Sequence, residues 1–369
     1  VIYMALTAGI VGLPNVGKST LFNAITNAQV EAANYPFATI DPNVGVVEVP
    51  DHRLNDLTEL VHPKKTVPTT FEFTDIAGLV RGASKGEGLG NKFLANIRET
   101  DAICEVVRCF RDPDVTHVDG GVDPVRDVET INLELIFADL STVENRIGRI
   151  GKKAQSGDKE AKIEIELLTK LKDTLEAEKP ARTLEFSKEE MVFVKQWSLL
   201  TMKPLIYVAN LGEEDLEDPT QNPYFNTLVE YAAKEGSKVV PICAKIEAEL
   251  AGLEHDEKQM FLEELGIKES GLDRLIKEAY ALLGLCTFFT VGVQEVRAWT
   301  FKKGMTAPEM AGVIHSDFQR GFIKAETYSY DDFMEYKSEQ ALKDAGKVRQ
   351  EGKQYVGQDG DIMLFKFNV

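Results

Sequence analysis

The chain has 369 residues, more than one hydrophobic core usually supports, so we expect two or three domains. Its apolar content of 43% and charged content of 28% exclude wholesale disorder. A formal charge of −18 argues against indiscriminate binding to nucleic acid or to an anionic membrane, because phosphate contacts need clustered Lys and Arg.

The four cysteines show neither CxxC spacing nor the density of a disulfide scaffold, which indicates a reducing compartment. Val1 to Ala5 lacks the basic and apolar regions of a secretory leader, and no apolar stretch is long enough to span a membrane. We therefore expect a cytoplasmic protein without a membrane partner.

The first part of the chain alternates apolar runs with helical patterns. Residues 6–11 read as a strand, a glycine-rich turn follows, and Ser19–Ala28 reads as a helix. Further strands are predicted at Val44–Val49, Phe71–Asp75, Ile103–Phe110, Pro204–Asn210 and Lys238–Cys243, with helices at Lys92–Glu99 and Tyr224–Glu235. The pattern predicts an α/β domain with a mostly parallel sheet.

Between residues 128 and 200 this alternation stops, and apolar residues recur at helical spacing. One predicted stripe is Ile131, Leu135, Ala138 and Val143, and a second is Ile163, Ile165, Leu168, Leu171 and Leu175. A turn at residues 155–158 separates them. We expect two long antiparallel helices in an inserted coiled-coil arm; helices packed flat on the sheet are the alternative.

Residues 285–369 have a third pattern, which predicts a small α+β domain. Its strands are expected at Phe288–Val293, Val296–Thr300, Gly321–Thr327 and Met363–Phe367, around a helix at Ala307–Phe318. The predicted division is therefore a nucleotide-binding domain (1–127 and 201–284), an arm (128–200) and a C-terminal domain (285–369).

The segment Gly12-Leu13-Pro14-Asn15-Val16-Gly17-Lys18-Ser19 fits the phosphate-loop pattern GxxxxGK[ST] between a strand and a helix. Backbone amides of such a loop surround phosphates, so we expect Asn15 to Thr20 to bind a nucleotide. Lys18 would reach the β and γ phosphates, and the Ser19 hydroxyl would bind Mg²⁺. A chance glycine turn is the alternative, which the strand and helix context disfavours.

Two further segments complete the predicted magnesium site. Asp75-Ile76-Ala77-Gly78 follows a strand, so Asp75 can hold Mg²⁺ through water and the Gly78 amide can follow the γ-phosphate. Thr39 lies in the loop before the second strand, where its hydroxyl could complete the metal shell. Both residues could instead be ordinary loop residues.

Over its whole length the chain resembles the Obg-related P-loop GTPases, and among them the YchF-type proteins. The segments that carry the likeness are Gly12–Thr20, Tyr35-Pro36-Phe37-Ala38-Thr39, Asp75 to Ala83, the helical insertion and Asn210-Leu211-Gly212-Glu213. The resemblance implies a G domain, a coiled-coil arm and a C-terminal TGS (ubiquitin-like) domain. It also implies contact with the ribosome or its large subunit, or with stress-response partners, with RNA in the cleft between arm and TGS domain.

The tetrad Asn210-Leu211-Gly212-Glu213 departs from the NKxD of ordinary GTPases, in which the Asp accepts hydrogen bonds from guanine. A site built for a bidentate pair loses affinity when the geometry shifts by one methylene, so guanine specificity should weaken. Asn210, the backbone at Leu211 and Glu213 are expected to bind adenine, as the resemblance implies. Glu213 could instead merely begin an acidic loop. Cys243-Ala244-Lys245 matches the position at which GTPases have the sequence SAK, in a loop that packs against the base.

Leu79 stands where many GTPases have the glutamine that orients the attacking water, and its side chain cannot do so. In YchF-type proteins a histidine is assigned this part, and the resemblance places it at His117. A loop histidine with no catalytic role is the alternative. We expect Lys18, Gly78 and His117 to assist slow hydrolysis.

The sequence therefore predicts an Mg²⁺-dependent ATPase switch that binds ATP and ADP. A GTP-specific, translation-associated GTPase and a nucleotide-gated adaptor with negligible turnover are the alternatives.

Overall fold

A computed structural model describes residues 6–28, 43–77, 90–117 and 120–369 of the chain. The contacts group the chain into two compact units. The larger unit contains Thr7–Gly45 and Phe73–Leu275, and the C-terminal unit is formed chiefly by Val46–Glu72 and Ile276–Val369. Segment 46–72 thus packs with the C-terminal segment, whereas the three-part domain division stays a prediction.

The described residues contain two sheets and fourteen α-helices. The strands are β1 (Thr7–Gly12), β2 (Val44–Glu48), β3 (Lys65–Val67), β4 (Thr70–Asp75), β5 (Ala102–Arg108), β6 (Leu205–Asn210), β7 (Lys238–Ile242), β8 (Leu285–Val291), β9 (Glu295–Lys302), β10 (Phe322–Ser329), β11 (Arg349–Glu351) and β12 (Asp361–Phe367). The helices are α1 (Lys18–Asn27), α2 (His52–Val61), α3 (Gly90–Arg98), α4 (Pro124–Gln155), α5 (Lys159–Glu176), α6 (Lys188–Gln196), α7 (Pro223–Glu235), α8 (Ala244–Leu250), α9 (His255–Glu264), α10 (Gly271–Leu282), α11 (Ala307–Ile314), α12 (Ser316–Arg320), α13 (Tyr330–Tyr336) and α14 (Glu339–Asp344).

The first sheet has the order β2-β4-β1-β5-β6-β7, and β1, β5, β6 and β7 pair in parallel. Strands β5 and β6 are buried along their whole length, as expected for strands covered on both faces. This confirms the predicted α/β architecture. Because the strands are parallel, the loops after β1, β5, β6 and β7 leave the same edge of the sheet.

The arm is a helical hairpin with its own hydrophobic core. Asp123 caps α4 by accepting from the Arg126 amide, and Asp158 caps α5 by accepting from Ala161. The first half of α4 packs against β5 and α7 and its second half against α5, so both predicted arrangements occur in one helix. The first predicted stripe is buried, but Ile163 of the second is 46% exposed; Ala161 and Leu167 are buried instead.

The second sheet has the order β11-β10-β12-β8-β9-β3 and carries a core on each face. One core holds Leu54 and Leu57 of α2 against Phe289 and Ile362, and the other packs α11 against Phe288 and Phe365. The single helix predicted over 307–318 is wrong. His315 has an extended backbone, and its Nδ1 accepts from the Asp317 amide at 3.0 Å, so α12 begins anew.

No helix among the described residues is long and apolar enough to cross a membrane. All four cysteines are free thiols, and Cys104, Cys109 and Cys243 are buried. Burial raises the pKa of Cys104 to about 12, so this thiol is held in its unreactive protonated form.

Candidate nucleotide site

The phosphate loop lies where the sequence predicts it, between β1 and α1. Gly17 precedes α1 with φ 95°, and Asn15 also has a positive φ of 64°. Leu13 and Val16 are buried and anchor the loop, whereas Asn15, Ser19 and Thr20 are exposed. The first amides of α1 have no partner within the helix, so this end of α1 is suited to an anion.

Lys18 is paired with the carboxylate of the DxxG motif. Its Nζ donates to Asp75 Oδ1 at 2.6 Å and to the Ile76 carbonyl at 2.8 Å. Asp75 stays about one-quarter exposed at the end of β4, so solvent reaches the pair. The structure therefore brings together two residues predicted to hold the phosphates and the metal.

Asn210 connects the phosphate loop to the loop after β7. Its Nδ2 donates to the Val16 carbonyl at 2.9 Å, and its Oδ1 accepts from the Ala244 amide at 3.0 Å. The side chain is buried, and a Cβ atom at Gly17 would lie 2.1 Å from Asn210 Nδ2. Asn210 thus holds the phosphate loop in place, a structural role that its sequence motif does not predict.

The other residues predicted to bind the base follow Asn210 or lie just after β7. Leu211 is buried, and its amide donates to the Ile242 carbonyl at 2.7 Å. Glu213 and Lys245 are exposed, each just beyond a strand of the first sheet. The carboxylate of Glu213 and the amine of Lys245 are therefore accessible to a ligand.

Arg108, at the end of β5, is a site residue that the sequence analysis missed. Its guanidinium donates to the carbonyls of Val115 at 2.8 Å and Phe110 at 3.2 Å, and lies 3.4 Å from those of Asp112 and Asn15. Asn15 Nδ2 in turn donates to the Thr116 carbonyl at 2.9 Å. These contacts hold the phosphate loop and residues 110–117 together. In the sequence, the one feature that points to Arg108 as a site residue is its position near the end of an otherwise apolar strand.

His117 is buried rather than displayed on the loop surface. Its Nε2 lies 2.7 Å from Oδ2 of Asp127, in the first turn of α4, and both side chains are almost wholly buried. Asp127 was not predicted, because it lies ten residues along the chain in another element. The catalytic role of His117 stays a prediction.

Magnesium fits the oxygen atoms that this site offers. Mg²⁺ in nucleotide sites is held by one or two protein oxygens, substrate phosphates and water. The Ser19 hydroxyl is exposed and the Asp75 carboxylate is accessible, so these two residues could hold the ion. Thr39 and Gly78, also predicted here, lie outside the described residues.

A buried carboxylate joins α8, whose first residue Ala244 contacts Asn210, to the start of α10. Glu247 lies in α8, three residues after Ala244, and its Oε1 accepts from the Gly271 amide at 2.9 Å. Burial, aided by the nearby Asp273 carboxylate, raises the pKa of Glu247 to about 7. The folded protein therefore disfavours ionised Glu247.

This raised pKa predicts a stability that falls with pH. The unfolded chain releases the proton near pH 4.5 and the folded chain near pH 7, so stability declines between these values and the cost is complete above them. The full cost is on the order of 3 kcal/mol, because one unit of pKa corresponds to about 1.4 kcal/mol. Glu247→Gln keeps the acceptor without the charge, so urea unfolding at pH 8 should show it more stable than the parent, with little difference at pH 4. Equal stability at pH 8 would contradict this prediction.

Two family models match the chain. A model described as "50S ribosome-binding GTPase" matches residues 7–145, and YchF-GTPase_C, described as a protein of unknown function (DUF933), matches residues 285–368. The first covers the phosphate loop, and the second covers most of the C-terminal unit.

Curated relatives and a solved structure match over nearly the full length. "Ribosome-binding ATPase YchF" of Bacillus subtilis is 66% identical over 99% of this chain and 100% of the relative, and the Escherichia coli O157:H7 protein of that name is 56% identical with the same coverage. The Schizosaccharomyces pombe YchF GTPase structure has a TM-score of 0.89 and 40% identity, over 98% of this chain and 97% of that one. With this identity, coverage and shared fold, the chain belongs to the YchF family of P-loop proteins.

Proposed function

We propose that this protein is an Mg²⁺-dependent ATPase that prefers ATP to GTP and acts as a nucleotide-controlled switch on the ribosome. The observation that carries the proposal is the tetrad at the end of β6, which places Asn210 on the phosphate loop and an exposed Glu213 where GTPases have Asp. The names of the curated relatives support the ATPase activity and the ribosome as partner.

Nucleotide binding would separate the Lys18–Asp75 ion pair. Lys18 directly follows the loop, so a change of rotamer would turn its Nζ from the Asp75 carboxylate toward the β and γ phosphates. Asp75, released from Lys18, would hold Mg²⁺ through water together with the Ser19 hydroxyl. The bound metal would neutralise charge on the phosphates.

The base would lie against the loops after β6 and β7. The second hydrogen of Asn210 Nδ2 and the second lone pair of Oδ1 remain for a ligand, since each atom makes one backbone bond. The Glu213 carboxylate is one methylene farther from the backbone than the Asp that pairs with guanine N1 and N2, which would displace that bidentate pair, so the site should discriminate weakly against adenine. Lys245 would cover one face of the base.

The ribosome as partner implies a cytoplasmic protein, with its large subunit as the proposed binding site. A GTPase function is the second candidate, because the matching family model and the S. pombe structure both carry that term. An adaptor that binds nucleotide without turnover is the third.

A paired titration of ATP and GTP with Mg²⁺ tests the proposal, using the parent protein and Lys18→Ala and following both binding and phosphate release. We expect tighter binding and faster turnover with ATP, and loss of phosphate release in the variant. Tighter GTP binding would establish the GTPase instead, and tight binding with no release would establish the adaptor. Omitting Mg²⁺ should abolish release in the parent.

A further inference from the structure

The end of the arm is positively charged in a chain whose formal charge is −18. Residues 149–162, here called the arm tip, contain five cationic side chains and two acidic ones, a net charge of +3. The cations are Arg149, Lys152, Lys153, Lys159 and Lys162, and the acids are Asp158 and Glu160. A basic patch in so acidic a protein requires an explanation other than overall solubility.

The hairpin holds these cations on two rigid helix ends. Helix α4 ends at Gln155 and α5 begins at Lys159, with Gly157 at φ 98° allowing the tight turn. Ile150 and Leu168 pack in one core, and the Asp158 carboxylate accepts from the Ala161 amide at 2.9 Å. The spacing of the cations is therefore largely fixed before any partner binds.

Most of the positive charge is not neutralised within the protein. Arg146, just below the tip, makes a bidentate pair with Glu164 at 2.6 and 3.1 Å, and Lys153 lies 3.7 Å from Asp158. The other four cations are exposed. In the part of the chain that the structure describes, they have no carboxylate oxygen within 4.0 Å.

Helix stability does not account for the cations on α5. Lysines in the last turn of α4 interact favourably with the helix dipole, but Lys159 and Lys162 lie in the first turns of α5, at its positive end. Cations three residues apart on one helix also repel each other. Both effects disfavour Lys159 and Lys162, so an external anion is the better explanation for their presence.

We propose that the arm tip binds the phosphate backbone of RNA, an inference that rests on the proposed association with the ribosome. Within residues 149–162 no aromatic or large aliphatic side chain is exposed, since Ile150 is buried, and Ile163, which follows the tip and is 46% exposed, is a single side chain. Protein interfaces depend on such anchors, whereas phosphate contacts need only charge. The tip therefore contacts RNA phosphates and does not distinguish one base sequence from another.

The test compares two triple variants of the full chain with equal changes in charge. The tip variant is Lys152→Gln, Lys159→Gln and Lys162→Gln; the control is Lys179→Gln, Lys188→Gln and Lys195→Gln, three exposed lysines elsewhere in the arm. Binding is measured to purified ribosomes and to protein-free ribosomal RNA over a range of KCl concentrations. ATP turnover is measured in the same preparations.

We expect the tip variant to bind both ribosomes and free RNA at least about 10-fold more weakly, with a salt dependence reduced by about two to three counterions. The control should bind like the parent, and both variants should keep the parent's turnover. Equal binding by the two variants would overturn the proposal, as would a tip effect seen with ribosomes but not with free RNA, which would indicate a ribosomal protein. A parent protein that bound no ribosomes would instead contradict the proposed function.

Discussion

Gly17→Ala is expected to weaken ATP binding by at least about 100-fold, or about 2.8 kcal/mol. The new Cβ would lie 2.1 Å from Asn210 Nδ2, so the Asn210 side chain must move. Movement would break its bonds to the Val16 carbonyl and the Ala244 amide, which join the phosphate loop to the start of α8. Isothermal titration with ATP and Mg²⁺ measures the loss.

Gly157→Ala provides a matched control for this variant. Gly157 has φ 98° against 95° for Gly17, but a Cβ there would meet no atom within 4 Å. Both variants incur the cost of a left-handed alanine, about 1–2 kcal/mol of unfolding free energy. Only Gly17→Ala should lose ATP affinity; an equal loss in both, or in neither, would show that the contact with Asn210 does not organise the site.

The sequence was sufficient to predict the phosphate loop because its signal is local. A strand, a glycine turn and a helix containing Lys18 and Ser19 occupy neighbouring positions, and β1 and α1 lie as predicted. The parallel strands that follow fix which loops share an edge of the sheet. Asn210 and Ala244 meet there although 34 residues separate them.

Contacts that depend on the path of a loop could not be predicted. Arg108 lies inside the predicted strand Ile103–Phe110 and received no role, because nothing local shows that residues 110–116 return to its guanidinium. Strand β3 has three residues, and its partner β9 lies some 230 positions later. Pairing of that kind depends on tertiary packing, which no local sequence pattern shows.

The catalytic role predicted for His117, which is buried against Asp127, can be tested by substitution. A histidine that orients or accepts a proton from the attacking water contributes about 10²- to 10⁴-fold to turnover. His117→Ala should therefore lower kcat for ATP by about that factor, with little change in the ATP dissociation constant. Single-turnover phosphate release and equilibrium titration separate the two quantities.

Asp127→Asn tests whether the carboxylate acts through the histidine. Asparagine keeps the shape of Asp127 and can still hydrogen-bond to His117 Nε2, which lies 2.7 Å from Oδ2, but it removes the charge. We expect a loss of kcat no larger than that of His117→Ala, because the ring would be held less firmly in the required tautomer. Thermal unfolding shows whether both variants remain folded.

The double variant decides between a positioning role and a separate one for Asp127. If Asp127 acts only by holding His117, adding Asp127→Asn to His117→Ala should lower kcat no further, because residues that act as a unit are not additive. A further 10-fold loss would mean that Asp127 contributes independently of the histidine. Turnover at the parent rate in His117→Ala would remove His117 from the mechanism, and its contact with Asp127 would then serve to fix the start of α4 beside residues 110–117.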